Sequence, residues 1–479
     1  MQEHFPVMVP GARPAGKPAE VRSPFDGAPI AACEQVDREG AERALATAHA
    51  LFSDRDAWLD APQRVEILQR AAALMQARRD ALALESSREG GKPLVDSRIE
   101  ADRAIDSIRL CAEHLRAQAG GGVPMGVNAA SAGRMAMTLH EPIGVVLAFS
   151  AFNHPLNLIA HQVGPAIAAG CPVVVKPAHA TPCSCMRLVA ILREAGLPEA
   201  WCQPLLTTEL ELAQEMVADP RVGFFSFIGS GKVGWMLRAR LAPGARCALE
   251  HGGVAPVIVA EDADLDYAIP LLLKGGFYHA GQVCVSVQRV FAHRSIARAL
   301  ADRLAEAAAA LKVGDPTLPE VEVGPLIRAG EVRRVGEWVR EAVQGGATAL
   351  GGAIALSSSC YAPTVLFDPP LESRVMTHEV FGPVVCVSPF DRLDDAVARA
   401  NALPYSFQAA VFTRDLDTAL RTSRRLNASA VMVNDHTAFR VDWMPFAGLR
   451  ESGLGVGGIP FTLEEMQTRK MIVLRSREL

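Results

Sequence analysis

The chain has 479 residues, 49% of them hydrophobic and 21% charged, and a net charge of −5. That length exceeds one ordinary compact core and predicts two or more domains. The mild acidity gives no reason to expect a nucleic-acid or anionic-membrane partner, although a pocket can still carry its own local charge.

The N-terminal stretch MQEHFPVMVPGARPAGKPAE lacks the basic start and apolar core of a secretory signal. Residues 38–53 and 62–87 read as amphipathic helices, as does 96–118, from apolar residues at helical spacing. GGGVPMGVNAASAGRMAMTLHEPIG (120–144) breaks that pattern with glycine and proline, and predicts a hairpin or an excursion from the domain. VVLAFSA (145–151) and PVVVKPA (172–178) are buried strands on either side of an apolar helix over 155–170. A helix around 183–195 and the strand FFSFIG (224–229) complete the β-α-β-α-β build of a dinucleotide-binding half. A second set follows: PVIVA (256–260), a helix over 264–280, VQRVFAH (287–293) and a long helix near 295–311. TALGG, VLFD and VVCVSPF are further strands, 393–427 alternates helix, strand and helix, and TRKMIVLR (468–475) is a basic, apolar strand. This alternation predicts an α/β protein with largely parallel sheets. No apolar run approaches the roughly 18 uncharged residues of a membrane span. The ten cysteines are scattered without a C-x-x-C pair. Neither a disulfide framework nor a metal site is expected, and a reducing cytoplasm fits best.

Three segments carry chemistry. In GQVCVSVQRV, Cys284 sits between a Gly-Gln turn and an apolar strand. In ALEHGGVAP, Glu250 ends an apolar strand before Gly252 and Gly253, a glycine pair that suits close approach to the backbone. FIGSGKVG (227–234) is a glycine turn opening a helix, whose free N–H groups suit a pyrophosphate. Alone, each has an ordinary structural explanation: a packed cysteine, a solvated carboxylate, a strand-end turn.

Together, and in order, the motifs resemble the aldehyde dehydrogenase superfamily over nearly the whole chain. EPIGVV (141–146), FNHPLNL (152–158), GCPVVVKPA (170–178), FIGSGKVG, LEHGG, GQVC, EVFGPV (379–384) and PFAGLRESGLG (445–455) follow the family's sequence of motifs. The resemblance implies a Rossmann-like cofactor domain over 1–119 and 142–250 and an α/β catalytic domain over 251–440. It also implies a connection over 441–458 and a small β oligomerisation element from 120–141 and 459–479. It implies that Cys284 attacks an aldehyde as a thiolate. The Asn153 amide and the Cys284 N–H would hold the oxyanion, and Glu250 would activate water to hydrolyse the thioester. The cofactor is NAD or NADP. Lys176, with Pro177 and His179 after it, would meet the adenosine ribose. Gly229, Ser230 and Gly234 would meet the pyrophosphate, and Glu379 the nicotinamide ribose beside Phe381. The partners implied are a small-molecule aldehyde and further copies of the chain, as homodimer or homotetramer. The presence of Glu250 favours release of a free acid over the rival, acyl transfer to coenzyme A. A non-catalytic protein on the same fold would be marked by loss of Cys284, Glu250 or Asn153, and all three are present.

The departures from the family pattern concern cofactor and substrate. His179 stands where many NAD-preferring relatives carry a glutamate. That removes a charge repelling a 2′-phosphate, and a protonated histidine would attract one; a solvent-facing role is equally open. His251 and Val254 depart from the usual Glu-Leu-Gly-Gly-Lys, and Ala447 replaces a frequent glycine. On the helix after Asn153, positions 154, 157, 158 and 161 share a face, and His154, Asn157 and His161 make that face polar. Arg103 in EADRAIDSIR and Arg440 in FRVDWMPF suit a carboxylate, phosphonate or sulfonate. The expected substrate is a small polar or anionic aldehyde, as in relatives acting on lactaldehyde, succinate semialdehyde or phosphonoacetaldehyde. Val283 counts against this, because relatives using phosphorylated aldehydes or succinate semialdehyde often have arginine there.

Overall fold

Strands buried on both faces read as continuous apolar runs. In the computed structural model, which describes residues 3–479, VVLAF is such a strand, with every residue buried. The elements that position the site are, in chain order, helix α1 (Leu94–Ala117), strand β1 (Val145–Phe149), helix α2 (Pro155–Ala169), strand β2 (Val173–Lys176), strand β3 (Val222–Ile228), helix α3 (Gly231–Arg238) and strand β4 (Arg246–Glu250). They form a six-stranded sheet ordered Gly453–Leu454, β4, β3, β1, β2, Cys202–Pro204. All neighbours are parallel except the short Gly453–Leu454 edge. Because β1 lies between β2 and β3, the order reverses at β1, and the carboxyl ends of β1 to β4 meet at one edge, where doubly wound folds bind ligands. Side chains of β1 alternate. Val146 and Ala148 enter a core with Leu68, Ile105 and Ile159, whereas Val145, Leu147 and Phe149 enter one with Leu45, Phe225 and Leu237.

Helix α2 carries the segment after Asn153. Proline opens it, where no N–H is needed, and Gly170 closes it in the left-handed conformation. Its first free N–H groups are capped from below by Glu100 of α1, which accepts from Leu156 (2.9 Å) and Asn157 (3.1 Å). The other Glu100 oxygen accepts from buried Lys92 (2.6 Å) and Ser86 (3.0 Å), so the buried carboxylate is fully partnered.

The second sheet has seven strands, among them β5 (Ala255–Val259), β6 (Val287–His293) and β7 (Val384–Phe390). Its order is Thr348–Ala349, Thr364–Phe367, β7, β6, β5, Gln408–Phe412, Ala430–Val433. A third sheet joins Gly121–Val123, Arg134–Pro142 and Gln467–Arg475, all antiparallel. The protein is therefore α/β, with a Rossmann-like cofactor part, an α/β catalytic part and a small β sheet. No helix among the described residues is long and apolar enough to cross a membrane.

Three features differ from the sequence reading. The helix predicted over 62–87 is two helices, Ala61–Ala77 and Arg79–Gly90, divided where Arg78 leaves helical geometry (φ −113°, ψ 13°) without glycine or proline to signal it. The strands Glu3–Phe5, Ala19–Arg22 and Pro29–Cys33 form an N-terminal sheet too short to show alternation. Helix Ala329–Gln344 went unread despite Val332, Val335, Val339 and Ala342 facing the core at helical spacing.

Candidate active site

A cavity of about 490 Å³ opens where the carboxyl ends of β1, β3 and β4 meet the loop leading to β6. That loop turns through left-handed His279, Ala280 and Gly281, with φ values of 48°, 54° and 70°. At Gly281 a side chain would collide with the Gly382 carbonyl, so the sharp turn needs glycine there. Beyond the turn Cys284 faces the cavity. Burial pushes its thiol up to about 12, nearby Glu379 pushes the same way, and the Arg440 cation works against them. The Cys284 N–H takes no carbonyl partner among the described residues. Asn153, four residues beyond the end of β1, donates its amide to the Gln282 carbonyl at 2.9 Å. Glu250, the last residue of β4, lines the same cavity, and burial raises its pKa. Its carboxylate rests against Gly457, where a Cβ would lie 2.5 Å from Oε1.

At the cofactor end, the cavity is bounded by Gly229, Ser230, Glu379 and Phe381. Glu379 Oε1 is buried without a hydrogen-bond partner, and burial pushes the carboxyl up to about 8. Gly252 leaves the space that this carboxylate occupies. Lys176, at the end of β2, lies over the Phe149 ring at 5.6 Å and makes no hydrogen bond among the described residues; burial lowers its pKa. A glycine turn at a helix start, a cation without a partner and an orphaned acceptor are the groups a dinucleotide satisfies, so the residues fit NAD(P). Pro177 and His179 follow Lys176 outside the cavity lining, and Gly234 lies in the first turn of α3. His179 is exposed, and partial desolvation and the Lys176 cation hold it below the usual histidine pKa.

At the substrate end, Arg103, His154, Asn157 and Arg440 line the cavity, and His161 lies directly behind it. The structure supplies a residue that the sequence reading missed, Asp442. Arg103 grips Asp442 with two hydrogen bonds, Nε at 3.1 Å and Nη2 at 2.6 Å. Asn157 adds a longer contact at 3.4 Å, and His161 Nε2 lies 2.7 Å from Oδ1. Burial alone would raise the Asp442 pKa, but His161 and Arg103 outweigh it and hold the carboxyl well below the usual range. Burial pushes His161 down to about 4, so its ring is neutral; Nε2–H donates to Asp442, and the bare Nδ1 accepts from Arg440 Nη2 at 3.3 Å. Arg440 itself stacks on Phe446, 3.6 Å from the ring centre, and its Nε is buried without a partner. Arg103, expected as a free anion ligand, therefore already has a carboxylate, whereas Arg440 makes no salt bridge among the described residues and feels Glu250 and Asp442 only from a distance. His154 bonds a second unforeseen residue, Tyr278, with Nε2 3.2 Å from the hydroxyl. Asp442 had a signal, an acid two residues beyond Arg440 in FRVDWMPF. Tyr278, six residues before Cys284, had none beyond proximity.

Comparison with known proteins agrees with this geometry. The aldehyde dehydrogenase family profile matches residues 12–472. A 3-sulfolactaldehyde dehydrogenase of Priestia megaterium is 37% identical over 456 residues, covering 95% of this chain and 94% of that protein. An aspartate-semialdehyde dehydrogenase 1 of Pseudomonas canavaninivorans is also 37% identical, covering 95% of this chain and 96% of that protein. The crystal structure of aldehyde dehydrogenase 21 from Physcomitrella patens, in complex with the reaction product succinate, superposes with a TM-score of 0.94 at 32% identity and 99% coverage of both chains. With a cysteine, a carboxylate and a dinucleotide cleft meeting in one cavity, and the family profile matching nearly the whole chain, the chain belongs to the aldehyde dehydrogenase family and oxidises an aldehyde to the carboxylic acid with NAD(P).

Proposed function

We propose that Cys284, Glu250 and Asn153 carry out this oxidation on a small aldehyde bearing a remote anion. Cys284 Sγ adds to the carbonyl carbon, its proton leaving to Glu250 or solvent, and the Asn153 amide and the Cys284 N–H hold the oxyanion. The bound nicotinamide supplies the acceptor for the hydride lost from that carbon. Glu250 then takes a proton from the water that attacks the thioester, and the free acid leaves. Lys176, Gly229, Ser230 and Glu379 are assigned to the cofactor, and Arg440 to the substrate anion.

The observation that carries the substrate reading is Arg440, whose guanidinium lines the cavity with a buried, unpartnered Nε and makes no salt bridge among the described residues. Glu250 and Asp442 offset this burial only from a distance; a buried cation without a direct ion pair is costly, and an anionic ligand reduces that cost. The relatives named for 3-sulfolactaldehyde and aspartate semialdehyde, and the succinate-bound neighbour, all handle compounds with an anion remote from the reacting carbon, which supports the reading. The test is a panel of semialdehydes and sulfonated aldehydes against uncharged aldehydes of equal length. The anionic members are expected to have the higher kcat/KM, and equal values would refute the assignment. The small sheet leaves Met135, Met137, Leu139, Met471 and Val473 exposed, which supports its burial in a homo-oligomer. All ten cysteines are free, which suits a reducing cytoplasm.

A further inference from the structure

His251 has no part in the chemistry above, yet it is 2% exposed and lies beside the glycine turn. Its Nδ1 is 3.0 Å from the Gly229 carbonyl oxygen. That oxygen can only accept, so Nδ1 carries the proton and Nε2 is the bare nitrogen. Nε2 is buried without a partner. The ring fills the crook between β3 and α3, edge-on to Phe227 and Trp235, each with centroids 5.7 Å away. A Cβ at Gly234 would overlap the imidazole, so the glycine makes its room. The Gly229 N–H donates to the Glu250 carbonyl at 3.0 Å. The dipeptide Glu250–His251 thus holds both polar backbone atoms of Gly229, one by main chain and one by side chain. The N–H groups of Ser230, Gly231 and Lys232 take no backbone partner among the described residues, and α3 begins there.

We propose that His251 is a positioning residue for the cofactor: by holding the Gly229 carbonyl, it keeps the free N–H groups of Ser230, Gly231 and Lys232 turned toward the pyrophosphate. The inference rests on the reading of this turn as the phosphate site. An apolar side chain could fill the same volume but could not hold the carbonyl, and a turn fixed in advance loses less freedom on binding. Burial lowers the His251 pKa, so the ring acts as a neutral donor, not as a charge.

The test compares wild type, His251→Leu and His251→Asn, since the asparagine amide can reproduce the Nδ1 donor. NADPH and NADH affinities are read from the fluorescence of the reduced nicotinamide, and amide hydrogen exchange is read over residues 229–236. Loss of one neutral hydrogen bond should weaken binding about three- to ten-fold in His251→Leu, with faster exchange in the free protein, and His251→Asn should recover most of both. If His251→Leu does not fold, the wild type against His251→Asn still decides: the asparagine variant must bind within about three-fold of wild type. Equal affinity in the leucine and wild-type proteins, or no recovery with asparagine, overturns the proposal. If either cofactor leaves 229–236 unprotected in wild type, the phosphate-turn reading falls and takes the proposal with it. Protection in wild type with unaltered leucine affinity removes only the role of His251.

Discussion

The two ends of the cavity are built in opposite ways. The cofactor end is made of strand ends and free backbone N–H groups, with Glu379 Oε1 and Lys176 left without hydrogen-bond partners among the described residues. The substrate end is a closed side-chain network in which Arg103, Asn157, His161 and Asp442 satisfy one another, while Arg440 joins through His161 and keeps its Nε without a partner among the described residues. A dinucleotide is met by many weak donors, so no single side chain decides its binding. On the proposed reading the substrate anion would be met by one cation, Arg440, held by His161 and Phe446. Damage should therefore be shallow at the first end and deep at the second, and deepest at the chemistry between them.

Cys284→Ala should abolish dehydrogenase turnover, by at least about 10⁴-fold. Glu250→Gln should keep a first burst of reduced cofactor and then stall at the thioester, which rapid mixing resolves; a Glu250→Gln enzyme with full steady-state turnover would refute the base assignment.

The contrast between the ends is tested most directly by Arg440→Ala. Losing a buried charged contact at about 2–4 kcal/mol predicts a fall of roughly 30- to 1000-fold in kcat/KM for anionic aldehydes, with uncharged aldehydes far less affected. A uniform fall for both classes would make Arg440 a structural residue.

Acidity enters next. Because burial raises the Cys284 pKa and the thiolate is the nucleophile, kcat/KM should climb with pH through 7–9, by up to about tenfold per unit. Arg440 is the side chain opposing that rise, so Arg440→Ala should move the profile to still higher pH even for uncharged aldehydes.

Asp442→Asn should cost about 2–4 kcal/mol of stability, somewhat less than a fully buried pair because Arg103 keeps 22% exposure. The Asp442 pKa is depressed in the folded state. Its contribution is therefore present above the unfolded carboxylate pKa and is lost as pH falls below it, so the wild-type and Asp442→Asn melting temperatures should converge in acid.

The smallest effect belongs to the cofactor end. His179→Glu should shift the NADP-to-NAD ratio of kcat/KM by only a few-fold, because the residue is exposed and its charge is screened. No shift would mean that His179 does not face the ribose.

The same difference explains what could be read before the fold was known. The cofactor turn lies within eight consecutive residues, FIGSGKVG, and its strand–glycine–helix pattern is local physics. The strands VVLAF and VVVK and the C-terminal strand were legible for the same reason. The substrate end is not local: Arg103 and Asp442 are separated by 339 positions. Sequence shows Arg103 and Arg440 as cations but cannot show which one owns a carboxylate. The polar face of His154, Asn157 and His161 was visible as a periodicity. That His161 turns its two ring nitrogens to Asp442 and Arg440 follows only once α2 packs against the 434–446 loop.

The small sheet bears on how the molecule is made. Its long pairing brings Thr468 against Glu141 across 327 positions, a closure worth about 5 kcal/mol of chain entropy on length alone. Synthesis runs from the N-terminus, so Arg134–Pro142 emerges while its principal neighbour is untranslated, with only the three-residue Gly121–Val123 beside it. Throughout that interval Met135, Met137 and Leu139 lie along an open strand edge, able to recruit the same segment of another nascent chain. Arg134, His140 and Glu141 at its ends supply the charge and polarity that discourage such mispairing. The yield of correctly formed protein is then a race between arrival of the last strand and capture of its partner by a neighbour, and it should favour slow synthesis and dilute chains.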